Sequence, residues 1–245
     1  MADARAPQDA AAAPPAGFHV GGLVPFTTTD YPGKLAAVVF AQGCPWRCGY
    51  CHNPHLLPPR GTDEVAWSDV LAWLDGRRGL LDAVVFSGGE PTAQSGLADA
   101  MRAVRAKGFA VGLHTGGIYP RRLAEVVGLV DWVGLDVKAP IAAYVQVTGV
   151  ASSGLAAFAS LDLLQRAGVP LEIRTTVHPV LTPPADLRAL ARELAECGVR
   201  SWVLQTFRPI GCANDELNAS APAGARLDEA LLAELAAVVP EIALR

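Results

Sequence analysis

Short apolar runs alternate with amphipathic stretches along the chain from Phe18 onward. The apolar runs predict six strands: Leu35–Ala41, Asp82–Ser87, Phe109–His114, Trp132–Asp136, Leu171–Thr176 and Trp202–Gln205. Most are nearly continuously apolar, which is typical of strands covered by helices on both faces. The amphipathic stretches predict helices at Ser68–Arg77, Gly96–Lys107, Arg121–Val127, Ser153–Ala167, Pro184–Glu196 and Asp228–Val239.

Successive β-α units of this kind predict an α/β fold with a parallel sheet and right-handed crossovers. We expect the sheet to curl into a partial barrel, although the pattern alone also allows a flat doubly wound sheet. The core domain is predicted to span residues 18–245 and to end in a short helix. Residues 1–17 are rich in Ala and Pro and are predicted to be a disordered tail.

A polar or glycine-rich group lies within or just after each predicted strand. In chain order they are the Cys44–Cys51 segment, Gly88–Gly89–Glu90, Thr115, Asp136 with Lys138, Arg174 and Gln205. In barrel-type α/β folds the C-terminal ends of the strands form the catalytic face. The sequence therefore predicts one pocket at this face, lined by these groups.

Three cysteines, Cys44, Cys48 and Cys51, lie within eight residues in a C-x3-C-x2-C pattern. A cubane iron–sulfur cluster normally takes four cysteines, and a structural zinc ion normally takes four N or S ligands. Three thiolates therefore predict a cluster with one iron open to another ligand. The alternative is a zinc site with His52 as fourth ligand, but adjacent residues such as Cys51 and His52 rarely converge on one metal.

The glycines and the acid after the second predicted strand suit a ligand. Gly88 and Gly89 remove side chains where backbone must approach closely. Glu90 supplies a carboxylate that could bind an ammonium group through a charge-assisted hydrogen bond. The alternative is a plain turn before Pro91.

Asp136 and Lys138 lie two residues apart, so on an extended backbone they share one side. They suit a ligand with hydroxyl and carboxylate groups, or else form a solvated ion pair. Arg174 lies within a predicted strand, where an unpaired guanidinium would be costly to bury. A ligand carboxylate or an acid of the pocket could form an ion pair with this guanidinium.

Thr115 could present a hydroxyl to the pocket or belong to a simple loop, and Tyr50 could pack against a flat ring. Cys197 and Cys212 stand apart from the cluster motif, and we interpret them as structural thiols.

Composition limits the class of protein. Five cysteines, three of them clustered, do not suggest a disulfide framework and indicate a reducing, cytoplasmic compartment. The net charge is −4 without a basic run, so we expect neither nucleic acid nor anionic membrane as a partner. No apolar stretch approaches the roughly 20 residues that cross a bilayer.

These motifs together resemble the radical S-adenosylmethionine (SAM) superfamily. CPWRCGYC is similar to its cluster signature and FSGGEP to its SAM-binding motif. More narrowly, the chain resembles the activating enzymes of glycyl-radical proteins, and most closely those of anaerobic ribonucleoside-triphosphate reductases. PFTTTDYPGKLAAVVFAQGCPWRCGYCHNP, VVFSGGEPT, VGLHTGG, DWVGLDVKAP and RTTVHP carry this similarity, which spans about Gly21–Cys212.

The resemblance implies an incomplete (β/α)6 barrel of the radical SAM type. It implies that the three clustered cysteines bind three irons of a 4Fe-4S cluster, whose open iron takes the amino and carboxylate groups of SAM. By the same resemblance, Gly88, Gly89 and Glu90 meet the methionyl end of SAM. Tyr50 lies by the adenine, and the matching pocket residues are Thr115, Asp136, Lys138 and Arg174.

The implied activity is reductive cleavage of SAM to a 5'-deoxyadenosyl radical, which takes hydrogen from a glycine of a partner protein. The implied partner is anaerobic ribonucleoside-triphosphate reductase, and the implied electron donor is reduced flavodoxin or ferredoxin. His114 is a departure, because related activases often carry Asp there, near a monovalent cation. The alternatives are a radical SAM enzyme on a small molecule, similar to 7-carboxy-7-deazaguanine synthase, and a zinc-stapled interaction module.

Overall fold

Within residues 17–221 and 227–245, the sheet has eight strands, and their order across the sheet follows their order in the chain. A computed structural model describes residues 17–221 and 227–245, so the predicted tail lies outside the described residues except for Gly17. The strands are β1 (Val20–Thr27), β2 (Ala36–Ala41), β3 (Ala83–Gly88), β4 (Ala110–Thr115), β5 (Trp132–Asp136), β6 (Leu171–Val177), β7 (Ser201–Thr206) and β8 (Glu241–Leu244). β1 runs antiparallel to β2, and the six pairs from β2–β3 to β7–β8 are parallel.

The predicted α/β fold is confirmed, and the six predicted strands correspond to β2–β7. The helices are α1 (Trp67–Asp75), α2 (Leu97–Ala106), α3 (Pro120–Val126), α4 (Tyr144–Thr148), α5 (Ser153–Ala167), α6 (Pro184–Glu196), α7 (Asp215–Ser220) and α8 (Glu229–Ala236). The predicted helices match α1–α3, α5, α6 and α8 within three residues at each end.

The sheet curls into a partial barrel instead of lying flat. A small second core, separate from the main one, fills its concave side and draws on β2, β3, β5 and the β1–β2 loop, with no helical residue among its members. In this core Tyr31 stacks on Trp132 with ring centroids 5.1 Å apart. A flat doubly wound sheet would instead carry helices on both faces. Tyr31 and the strand residues that it packs against, which we call the Tyr31 plug, fill the barrel at the N-terminal ends of the strands. The C-terminal ends of the strands are left for a site.

Two strands and two α-helices among the described residues, β1, β8, α4 and α7, were not predicted. β1 (VGGLVPFT) contains two glycines and a proline, which break the apolar pattern and suit an edge strand. β8 has four residues, three of them exposed, so little hydrophobic signal marks it. The last helix is therefore followed by a strand, although a terminal helix was predicted. The helices α4 and α7 are too short, at five and six residues, to show a clear period.

No single helix among the described residues is long and apolar enough to cross a membrane. The segments Ile141–Thr148 and Ser153–Ala167 reach the required length and composition only together, and they bend by 115° between them.

Candidate functional site

One cavity opens at the C-terminal ends of the strands, with a volume of about 800 Å³ including its mouth. It brings together ten of the predicted site residues: Cys44, Cys48, Tyr50, Cys51, Gly88, Gly89, Glu90, Thr115, Asp136 and Lys138. Arg174 does not line it. The lining residues without a predicted role include Trp46, Ser87, His114, Ile118 and Thr176.

The cysteine segment belongs to a closed loop whose two ends are fastened together. The buried amide of Gln42 donates from Nε2 to the carbonyl oxygens of His55 (3.2 Å) and Pro58 (2.7 Å). The Gly43 N–H donates to the Leu56 carbonyl at 2.8 Å. The base of the loop is therefore fixed on protein groups alone. Gln42 was not predicted, although a polar residue between a buried strand and a Gly–Cys pair is a usable signal.

Helix α4 supports the middle of the same loop. The Arg47 N–H donates to the Thr148 carbonyl at 2.9 Å, and the Gly49 N–H donates to the Val147 carbonyl at 3.1 Å. These hydrogen bonds hold the backbone between Cys44 and Cys51 from outside the cavity.

The three thiols of the loop are free and partly exposed. Burial, reinforced by the nearby Glu90 carboxylate, raises the pKa of Cys44 to about 12. Burial also raises the pKa of Cys48. Without metal the Cys44 and Cys48 thiols are therefore protonated, and a bound metal must displace their protons.

A zinc site that uses His52 is not favoured by this arrangement. The His52 Nε2 lies 2.8 Å from the carbonyl oxygen of Arg208, and its ring stacks on Phe207 at 5.4 Å. Among residues 17–221 and 227–245, no three Cys, His, Asp or Glu side chains are arranged to hold a single metal ion.

Gly88 and Gly89 permit a close approach between two backbone segments. A Cβ on Gly88, whose φ is +105°, would lie 2.6 Å from the backbone nitrogen of Ala41. A Cβ on Gly89 would lie 2.3 Å from the carbonyl oxygen of Gly43. The glycines thus bring the end of β3 against the base of the cysteine loop. Both glycines also line the cavity, so their role toward a ligand stays a prediction.

Glu90 is buried and accepts four hydrogen bonds. Its Oε1 accepts from the Thr92 N–H (3.0 Å), the Thr92 hydroxyl (2.5 Å) and the Thr115 hydroxyl (2.7 Å), and its Oε2 accepts from the Gly116 N–H (3.0 Å). Burial raises the pKa of Glu90 above its ordinary value, and the hydrogen bonds from Thr92, Thr115 and Gly116 offset this only in part. Oε2 accepts only one of the four hydrogen bonds, so it retains capacity for a cationic ligand.

Thr115 forms a direct hydrogen bond with Glu90. Its hydroxyl donates to Glu90 and accepts from the Gly117 N–H at 2.9 Å. Thr115 was predicted to line the pocket with a hydroxyl; the structure directs that hydroxyl to the carboxylate. Thr115 is therefore a residue that positions Glu90.

Asp136 joins Lys138 and Arg174 in a charged cluster. Its Oδ1 accepts from the Arg174 Nε at 2.9 Å, and its Oδ2 lies 3.6 Å from the Lys138 Nζ. Burial alone would raise the pKa of Asp136, but the two cations hold it below its usual range. Arg174 is only 7% exposed and lies behind Asp136, outside the cavity lining. Arg174 was predicted to pair with a ligand carboxylate or with an acid of the pocket. The structure pairs it with an acid of the pocket, Asp136.

Tyr50 carries a polar atom that lacks a partner among the described residues. Its ring lines the cavity, and its buried hydroxyl has no hydrogen bond. The Lys138 Nζ lies 5.7 Å from the centre of that ring. The free thiols, this hydroxyl, the Glu90 carboxylate and the Lys138 ammonium fit a cluster together with a charged amino-acid ligand.

The segment after β7 covers the outer side of the cysteine loop. The Cys212 Sγ lies 3.8 Å from the Gly49 carbonyl oxygen. Gly211 has φ +88°, and a Cβ there would lie 2.5 Å from the His52 carbonyl oxygen. Cys212, predicted to be a structural thiol, thus packs against the predicted metal loop.

We therefore expect Gly211→Ala to loosen the cysteine loop in metal-free protein. Gly108→Ala is the matched control, because Gly108 has φ +90° and open space around its Cβ position. Both substitutions place an alanine in the left-handed region of φ, which destabilises the folded chain by about 1–2 kcal/mol. Only Gly211→Ala should speed hydrogen exchange of the Gly49 and Cys51 amides, by about tenfold or more beyond the control. Equal protection of these amides in both variants would contradict this prediction.

His114 is held as a neutral imidazole. Its Nε2 lies 2.8 Å from the carbonyl oxygen of Asp30, which can only accept, so Nε2 carries the proton and Nδ1 accepts from the Ser87 hydroxyl at 3.3 Å. Burial, with the charge of Arg174, lowers the pKa of His114 to about 4.

This pKa predicts a stability change in acid. Between the ordinary histidine value of about 6.5 and the lowered value, the unfolded chain binds the extra proton, so stability falls as the pH falls through that interval. We expect a loss on the order of 2 kcal/mol in metal-free protein from this residue. Denaturant unfolding of wild type and His114→Gln from pH 7 to pH 4 measures it; parallel curves for the two proteins would refute it.

Comparison with known proteins identifies the family. The Radical SAM superfamily model matches residues 38–201. A protein of Methanocaldococcus jannaschii named as a glycyl-radical enzyme activating enzyme is 32% identical over 207 residues, which cover 80% of this chain and 83% of that one. The pyruvate formate-lyase-activating enzyme of Clostridium pasteurianum is 33% identical over 172 residues, which cover 68% of this chain and 70% of that one.

A solved structure shares the fold. QueE from Escherichia coli aligns over 94% of both chains with a TM-score of 0.56 and 18% sequence identity. The chain therefore belongs to the radical SAM superfamily, whose enzymes use a 4Fe-4S cluster and SAM, and within it to the glycyl-radical enzyme activating enzymes.

Proposed function

We propose that this enzyme generates a glycyl radical on an anaerobic ribonucleoside-triphosphate reductase. The observation that carries the proposal is the loop of Cys44, Cys48 and Cys51 beside one charged cavity. Three thiolates leave one iron of a cubane without a protein ligand. The motif VVFSGGEPT and the segment DWVGLDVKAP, which resemble reductase activases, support the choice of partner.

The cavity residues have complementary roles in this proposal. The three cysteines hold the cluster. Glu90, backed by Thr115, binds the amino group of SAM, while Lys138 binds its carboxylate. Gly88 and Gly89 bring the methionyl end close to the cluster loop, and Tyr50 lies by the adenine. Asp136, fixed by Arg174, accepts from ligand hydroxyls.

The bound groups supply one-electron cleavage of the SAM sulfonium, which yields methionine and a carbon radical that takes a hydrogen atom from the glycine Cα. This chain binds and orients SAM and keeps water from the site. The electron comes from reduced flavodoxin or ferredoxin. The proposal also assigns the protein to the cytoplasm, where five free cysteines remain reduced.

The test is to incubate the anaerobic, cluster-loaded protein with SAM, reduced flavodoxin and a candidate reductase. We expect an EPR doublet of a glycyl radical, and none with a reductase whose target glycine is changed to alanine. SAM cleavage without a doublet for any co-encoded glycyl-radical protein would refute the proposal. It would favour the alternative, a small-molecule enzyme similar to 7-carboxy-7-deazaguanine synthase.

A further inference from the structure

A second cavity adjoins the first in the barrel opening. Its volume is about 1330 Å³ including its mouth. The β1–β2 loop contributes Thr29 and Asp30, and the segment after β7 contributes Arg208 and the 87% exposed Ile210. It is large enough for a segment of polypeptide, and it is open to the outside.

The two cavities share part of their lining, and we call this shared part the junction. Among the described residues, only His52 and Thr176 line both. The Arg174–Asp136 ion pair stands between them, since Arg174 lines the second cavity and Asp136 the first. His52 is fixed through its Nε2 to the Arg208 carbonyl.

Thr176 is the junction residue whose side chain makes no hydrogen bond among the described residues. It lies two positions after Arg174 on β6, so both side chains face the barrel interior. Thr175 faces the other way: its hydroxyl donates to the Val137 carbonyl and accepts from the Trp202 Nε1. A larger side chain at position 176 would therefore add bulk where the two cavities share their lining.

We propose that Thr176 is a positioning residue that controls how closely a partner glycine in the second cavity approaches SAM in the first. This inference rests on the proposed function. In the step concerned, one glycine Cα–H bond breaks homolytically, and that hydrogen atom forms a C–H bond with the radical carbon derived from SAM. The reacting carbons must come within about 3–3.5 Å, and a displacement of about 1 Å can cost 100-fold.

The test compares Thr176→Leu, which adds bulk at the junction, with Thr176→Ser and Val177→Leu. Val177 lines an apolar cavity that neither His52 nor Thr176 lines, so its enlargement adds no bulk at the junction. The reductase that gives a doublet with wild type is the partner. The readouts are SAM consumed, radical formed per SAM, and reductase affinity by surface plasmon resonance.

We expect Thr176→Leu to form about tenfold less radical per SAM consumed than wild type. Reductase affinity should change by less than about threefold, because docking precedes the final approach. Both controls should keep the wild-type ratio. An unchanged ratio in Thr176→Leu, a parallel loss of SAM cleavage, or a large loss of affinity would overturn the inference. Wild type that forms no radical would instead refute the proposed function itself, and this inference with it.

Discussion

Replacing Cys48 with alanine is expected to abolish cluster retention and all SAM cleavage. Cys48 lies between the two backbone supports from α4, at Arg47 and Gly49, so no neighbouring thiol can move into its place without breaking them. Two thiolates would remain for a cluster that needs three from this chain. Iron content, the absorbance near 400 nm and methionine release measure the loss after anaerobic reconstitution.

Cys197→Ala is the matched control, because it removes an exposed thiol at the end of α6. It should retain iron and activity at the wild-type level. Cleavage of SAM by cluster-loaded Cys48→Ala protein would show that the ligand assignment is wrong.

Glu90→Gln should retain the cluster and weaken SAM binding by about 10–100-fold, since a hydrogen bond to a charged group contributes about 1.5–3 kcal/mol. The glutamine NH2 cannot accept from the Gly116 N–H or the Thr115 hydroxyl, so either amide orientation leaves two donors facing each other. The Glu90→Gln substitution also removes the negative charge that faces a ligand ammonium.

Glu64→Gln makes the same chemical change outside the cavity, where Glu64 accepts from Arg60 and the Gly61 N–H. Equilibrium binding of SAM to both reconstituted variants checks the prediction. Equal SAM affinity in Glu90→Gln and wild type would exclude Glu90 from the binding site.

The hydrophobic pattern predicted the barrel strands well because each one is buried on both faces. Asp136, for example, ends β5 where predicted, directly after four buried residues. The same pattern missed β1, whose Pro25 and glycines suit an edge, and it missed the Tyr31 plug that fills the barrel. Such long-range packing leaves no local period in the sequence.

The site could be predicted where the residue type alone indicates the chemistry, as for the cysteines and Glu90. It was less predictable where the function of a group depends on its neighbours. The hydroxyl of Thr115 is directed to Glu90, and Arg174 is committed to Asp136; only the folded chain shows these pairings. Thr176 carries no signature, because its position at the cavity junction arises from the tertiary fold.

The most direct test of the account is electron–nuclear double resonance on the reduced cluster with SAM labelled at its amino nitrogen. The account predicts a hyperfine coupling from the labelled nitrogen, because one iron has no ligand from this chain and binds SAM instead. A cluster that shows no such coupling with SAM bound, and whose fourth iron is held by a side chain of this protein, would contradict it.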